Sequence, residues 1–238
     1  MKRILLTVSA FSILTFGCAH TMEPASTPKE PPKTAAKKVD QQKKPAANLR
    51  QAGDFIVYEF SGDYRAQPLM LTQRVVERDG SMLVLDVSLQ EGTQTQQFRL
   101  HVEDPANEIH SVARLVNGEE QPIDIAAYEE IMAETMLPIE ANEAVVDRSI
   151  ASVQIGSMKL PCKQTTYRVS AAGKSATMTI LENPGFAWGD LGGEVHSSKG
   201  SLLYKATVVE LGGPSSTQNV AVATQYEPEM IDAWDLEE

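Results

Sequence analysis

The chain has 238 residues, of which 42% are hydrophobic and 22% charged, with a net charge of −11 and two cysteines. That sign of charge repels a phosphate backbone and argues against nucleic-acid binding. Beyond Cys18 only Cys162 remains, so no disulfide framework can replace a packed core.

Lys2 and Arg3 precede an apolar stretch from Ile4 to Phe16. About a dozen such residues suit the hydrophobic region of a secretory signal and fall short of the roughly 20 that span a bilayer. The stretch closes with Leu14-Thr15-Phe16-Gly17-Cys18, small Gly17 standing immediately before the cysteine. It resembles a bacterial lipoprotein signal, with Thr15 where the lipobox usually has leucine and Phe16 bulkier than the usual residue. The resemblance implies that residues 1–17 are removed and that Cys18 becomes a lipidated amino terminus. Several acyl chains at about 0.8 kcal/mol per methylene hold such a terminus stably in a membrane. Ala19, where aspartate would signal retention in enteric bacteria, implies the outer membrane, with the body facing the periplasm. A second cleavage site stays open. Gly17-Cys18-Ala19 also fits ordinary signal peptidase, and cleavage after Ala19 would release a soluble periplasmic or secreted protein.

Residues 18–51 read as a tether. Pro24, Pro28, Pro31, Pro32 and Pro45 lie among alanine, lysine, threonine and glutamine, with no sustained apolar periodicity. As a flexible coil this stretch holds a domain roughly 30 Å from its anchor, and about 100 Å when extended. Seven bases, Lys29, Lys33, Lys37, Lys38, Lys43, Lys44 and Arg50, face three acids there, a charge of +4. With +2 from the signal, the whole-chain −11 leaves −17 on residues 51–238. A basic strand is drawn to an anionic membrane surface, and the acidic body is repelled by it.

Residues 52–212 have the length of one domain. Leu83, Leu85, Val87 and Leu89 alternate with polar residues, the period of a half-buried strand. Asp79-Gly80 joins that strand as a hairpin to one over 69–78, and Glu91-Gly92 turns the chain into one over 96–103. A strand over 55–60 is expected at the edge of this meander. The second half repeats the pattern: 165–170 and 175–181 flank Ala172-Gly173, while 193–197 and 202–211 flank Lys199-Gly200. Between the halves the spacing predicts one helix over 125–137, with Asp124 as cap and Pro138 as terminator. Ile125, Tyr128, Met132 and Met136 share its apolar side. The expected fold is therefore mainly β (α+β): a curved antiparallel sheet or half-barrel of about eight strands with one helix packed into its concavity. That arrangement is similar, in architecture, to the half-barrel domains of bacterial envelope lipoproteins that carry lipid or lipoprotein cargo. Met132 and Met136 would then line an apolar pocket or serve as plain core.

No pattern for a catalytic nucleophile, zinc protease, phosphate loop or dinucleotide site occurs. His20 lies in the tether. His101 and Glu103 fall opposite Leu100 and Val102, on a solvated face, and His196 near Glu194 repeats that case, so no metal or cofactor is expected. Phe186 and Trp188, in a glycine-rich loop over 185–193, are candidates for a contact surface. The competing reading folds Trp188 back over the open end of the sheet. Cys162 enters a strand as a small core hydrophobe. Residues 213–238 form an acidic tail in which Trp234 is a third candidate contact, on a partner, on the body itself, or in a disordered end. The function expected is a non-catalytic, membrane-anchored envelope lipoprotein that binds an apolar ligand or an envelope protein. The alternative is an assembly accessory of an envelope complex without a pocket.

Overall fold

The computed structural model describes residues 49–104 and 106–224. Cys18, the tether as far as residue 48, and Trp234 lie outside the described residues. Eleven strands form one antiparallel sheet. In chain order they are β1 (Phe55–Ser61), β2 (Leu69–Asp79), β3 (Met82–Glu91), β4 (Gln94–Glu103), β5 (Glu108–Val116), β6 (Glu119–Ile123), β7 (Ile139–Ile155), β8 (Met158–Ala171), β9 (Lys174–Glu182), β10 (Asp190–Ser197) and β11 (Leu202–Gly212). Helix α1 (Ile125–Glu134) lies between β6 and β7, and α2 (Ser216–Thr224) follows β11.

All eight expected strands are present, and β5, β6 and β7 correct the count. Each lacks the period-two signal for a physical reason. In β5, Glu108, His110 and Ser111 are exposed beside buried Val112 and Ala113, so burial does not alternate. β6 reads Glu-Glu-Gln-Pro-Ile and is exposed or half-buried throughout, as an edge strand can be. In β7 three irregularities between Ile139 and Asp147 shift the register, and each resets which residues face inward.

The strand order is β6-β5-β4-β3-β2-β1-β11-β10-β9-β8-β7. β1 joins the edge of the first meander through β2, as expected, and the two meanders meet where β1 pairs with β11. The residues from β6 to β7 must carry the chain from one edge of the sheet to the other. A flat sheet of this many strands would be about 48 Å wide. The connection offers about 15 Å of helix and a similar length of extended chain. The sheet has to curl, and α1 has to cross its concave side. Contact between β7 and β11, which are not neighbours in the sheet, agrees with that curvature.

The concave face carries the main core. Leu83, Leu85, Val87 and Leu89 are buried as their alternation requires, each stabilising the fold by about 1.5–3 kcal/mol. Tyr128 and Met132 are the buried residues of α1, and the Tyr128 ring meets Phe98 edge-on at 5.3 Å. Asp124 stands at the cap position of α1 but makes no side-chain capping bond. The helix stops at Glu134, where the Thr135 hydroxyl donates to the Met132 carbonyl at 2.6 Å.

The same core cluster reaches the other face of the sheet at β8. Within β8 the buried positions change parity, from Leu160 and Cys162 to Thr165, Tyr167 and Val169. The strand thus buries opposite faces along its length, and α2 packs against it. Cys162 is fully buried, and burial pushes its thiol pKa up. Asp54 ties the start of this unit to its end: its carboxylate accepts the Ser215 amide at 2.9 Å and the Ser215 hydroxyl. The packed body therefore reaches beyond 52–212 on both sides, from Arg50 to α2.

Candidate functional site

Beneath α1 the concave face leaves a cavity of about 90 Å³. Its apolar wall includes Phe60, Leu71, Leu85, Leu100, Met132 and Met136, so both methionines of α1 and its C-terminal turn line it. Central strands supply the floor because period two puts alternate residues of each on the concave face. The polar part of the lining includes Tyr58, Asp190, Tyr204, Arg50 and Trp188, together with Gln73, Asn107 and Thr135.

Arg50 reaches the site through a buried cluster. Its Nη2 donates to Asp104 Oδ1 and to Asn107 Oδ1, both at 2.7 Å. Arg78 Nη1 donates to Asp104 Oδ2 at 2.7 Å and to the Arg50 carbonyl at 2.8 Å. Two guanidinium groups thus share one carboxylate. The Arg50 guanidinium carbon also lies 5.2 Å from the centre of the Trp188 ring.

The loop before β10 is wired from Asn183, which is fully buried. Its side-chain amide donates to the Pro161 carbonyl at 2.7 Å and the Ala223 carbonyl at 2.9 Å, while its Oδ1 accepts the Gly185 amide at 2.7 Å. Gly189 N–H bonds the Phe186 carbonyl, and the Asn183 N–H bonds the Gly189 carbonyl, closing the loop on itself. Phe186 and Trp188 are buried at 3% and 9% exposure, which corrects the contact surface expected of them. A loop pinned at Asn183 turns these rings inward, onto the core. Gly192 and Gly193 permit the next step, since a Cβ would collide with the Ala206 carbonyl at the first and the Thr179 carbonyl at the second.

Asp190 sits where that loop enters β10. Its carboxylate accepts the Gly192 amide at 2.7 Å, and its carbonyl accepts the Tyr58 hydroxyl at 3.0 Å. Burial pushes its carboxyl pKa up to about 6, with Glu182 adding to the rise and the Gly192 bond opposing it. Burial also raises the Tyr58 and Tyr204 phenols, with the Asp190 charge as a second cause for both. Three polar atoms on lining residues are buried with no partner among the described residues: Arg50 Nε, Trp188 Nε1 and the Tyr204 hydroxyl. Each such group costs about 1–3 kcal/mol when left unpaired.

The histidines lie elsewhere. His110 Nε2 is 3.7 Å from Glu103 and His196 Nε2 is 3.0 Å from Glu194, all partly exposed. Among the described residues no three ligand-type side chains gather to hold a metal ion. No helix among them is long and apolar enough to cross a membrane.

Sequence reasoning placed Arg50 in the tether and passed over Tyr58, Asp190 and Tyr204. One signal was present: Arg50 is the single arginine among the tether's lysines, and guanidinium is the group suited to buried, multidentate pairing. The other three come from β1, β10 and β11, which only the β1–β11 pairing brings together.

No family model and no curated protein matches the chain. Several solved structures are similar to it at low identity. A hypothetical protein, CT021, from Chlamydia trachomatis has a TM-score of 0.39 and 11% identity over 68% of this chain and 88% of that one. An exported protein of YmcC-like fold from Bacteroides fragilis has a TM-score of 0.38 and 11% identity over 69% and 97%. MucB in its complex with MucA, from Pseudomonas aeruginosa, has a TM-score of 0.35 and 12% identity over 70% of this chain and 55% of that one.

Proposed function

We propose that this protein is a non-catalytic envelope lipoprotein whose β-rich body binds a small apolar or amphipathic ligand beneath α1. The observation that carries this reading is the cavity itself, with an apolar wall between the central strands and α1. Protein interiors are close-packed, so space left on the concave face beneath a helix is space that a ligand can fill. The cavity is small beside typical drug-sized sites of about 300–1,000 Å³, so it suits one short chain or ring. Lipidation at Cys18, the basic tether and an outer-membrane location facing the periplasm complete the proposal, and they rest on residues 1–51 alone.

Titration of the purified full chain with the neutral fluorophore N-phenyl-1-naphthylamine tests it. Saturable one-to-one binding is expected, together with its loss in Ala206→Leu, because Ala206 lines the cavity and the longer side chain fills it. No saturable binding, or equal binding by the filled variant, rejects the cavity as a ligand site.

One observation favours the alternative, an assembly accessory. β7 is an edge strand, and Val146 and Ile150 on it are 51% and 53% exposed. An edge with exposed apolar residues offers a partner strand a place to pair. Unchanged envelope partners after Val146→Lys and Ile150→Lys would reject that reading.

A further inference from the structure

We infer that the cavity beneath α1 is proton-linked through Asp190: a neutral apolar ligand binds best when that carboxyl is uncharged, and its binding takes up a proton when the carboxyl starts ionised. The inference rests on the cavity being a ligand site and adds what controls it. Two geometric observations carry it. Asp190 is the one carboxylic acid among the described residues that line the cavity, which it shares with Leu85, Leu100 and Met132. Its carboxylate accepts the Gly192 amide through Oδ1 at 2.7 Å, and no donor among the described residues meets Oδ2. The residue is half-buried, so its ionised form depends on water for the solvation that the protein does not supply.

The second observation is the register. Asp190 in β10 lies directly opposite Glu182 in β9, so two carboxylates stand side by side across the pair. Lys163 is opposite Glu182 on its other side, one strand further from Asp190. From β1 and β11 the groups that face Asp190 are the phenols of Tyr58 and Tyr204, which burial raises, so both keep their protons in the range where a carboxyl titrates. Arg65 and Tyr64, in the connection between β1 and β2, act on Tyr204. Arg50, the one base on the lining, is already bonded to Asp104. No histidine is among the described lining residues. Water in the cavity stabilises the carboxylate, and hydrocarbon that displaces it favours the uncharged acid. A ligand that raises the Asp190 pKa by one unit binds the protonated form about tenfold more tightly than the ionised one. Burial already places the free carboxyl at about 6, with Glu182 adding to the rise. Affinity is therefore full below about pH 6 and falls as pH rises, until the liganded form ionises as well.

Fluorescence titration of the full chain with N-phenyl-1-naphthylamine, uncharged at the pH values used, tests this. Affinity is expected to fall about tenfold between roughly pH 5 and pH 8. Calorimetry near pH 6.5 in buffers of different ionisation enthalpy is expected to show about half a proton taken up per ligand. Asp190→Asn keeps an acceptor for the Gly192 amide and removes the titration, so it is expected to bind equally well across the range and to take up no proton. Wild-type affinity that ignores pH, or that rises with it, overturns the proposal. A dependence that survives unchanged in folded Asp190→Asn assigns the proton to another group and overturns it too. Should that variant fail to fold, Glu182→Gln decides: without the neighbouring charge the midpoint should move to lower pH, and an unmoved midpoint overturns the assignment. No saturable binding at any pH is a different result, since it rejects the cavity as a ligand site and the linkage with it.

Discussion

The guanidinium of Arg50 stacks over the Trp188 ring at 5.2 Å, joining the segment before β1 to the loop that enters β10. The two residues are far apart in sequence, and both border the same cavity. The chain that precedes β1 therefore meets the sheet at the candidate site. Anything that loosens Arg50 also loosens one wall of that site.

The Arg50–Asp104–Arg78 cluster gives a stability prediction. Asp104 is 6% exposed, as is Arg50, and both guanidinium groups lose the one carboxylate they pair with among the described residues if it is removed. Asp104→Ala is expected to cost about 3–5 kcal/mol, which for a body of this size lowers Tm by roughly 10 °C. Asp86→Ala removes the more exposed pair with Arg99 and is expected to cost less than about 1 kcal/mol. Thermal melts showing equal losses would contradict the assigned burial.

Asp190 makes stability depend on pH. Its folded carboxyl titrates near 6, above the ordinary value of 3.8. Between these values the folded state holds a proton that the unfolded state has released, so stability falls as pH rises through about 4 to 6. Glu182, also raised by burial, acts in the same direction. Asp190→Asn keeps an acceptor for the Gly192 amide and is expected to stabilise the protein by about 1–3 kcal/mol at pH 7.5. Near pH 4 the gain should vanish. Urea melts with the same gain at both pH values would show that ionisation is not the cause.

Gly193 is set by space. Its backbone passes so close to the Thr179 carbonyl of β9 that Gly193→Ala must push the strands apart. The expected cost is about 1–3 kcal/mol. Gly173, in the turn before β9, has nothing within 4 Å of the added carbon, but its φ of +71° strains any other residue. Loss at 193 should therefore come with weakened β9–β10 protection in hydrogen exchange, and loss at 173 without it.

Met132 is 1% exposed on the buried side of α1. Met132→Ala enlarges the void and is expected to cost about 2–4 kcal/mol, whereas Met132→Leu conserves volume and should cost less than about 1.5 kcal/mol. Denaturant titrations that do not rank the two this way would move Met132 out of the core.

For the anchor, the full-length protein is expected in the membrane fraction, labelled by radioactive palmitate. Cys18→Ser should be unlabelled and soluble. Two soluble, unlabelled proteins would instead support cleavage after Ala19.

Alternation and turn chemistry determined much by themselves. Leu83 to Leu89, the Asp79-Gly80 hairpin and the apolar side of α1 are local patterns, and local patterns survive in one dimension. Strands β5, β6 and β7 escaped because edge exposure and bulges erase the alternation that would announce them. Met132 and Met136 were legible as the apolar side of a helix over the sheet, as pocket lining or plain core alike, since a helix beside a one-sided sheet must cover its open face. Which residues complete that cavity was decided only in three dimensions. Tyr58 and Tyr204 line one cavity because β1 pairs with β11 across nearly the whole length of the body, and Arg50 joins that lining where Asp104 holds it. Such contacts depend on long-range pairing, which leaves no period in the chain. The direction of Phe186 and Trp188 was likewise undecided until Asn183 was seen to bind Pro161 and Ala223, two carbonyls from distant segments that fold the loop inward.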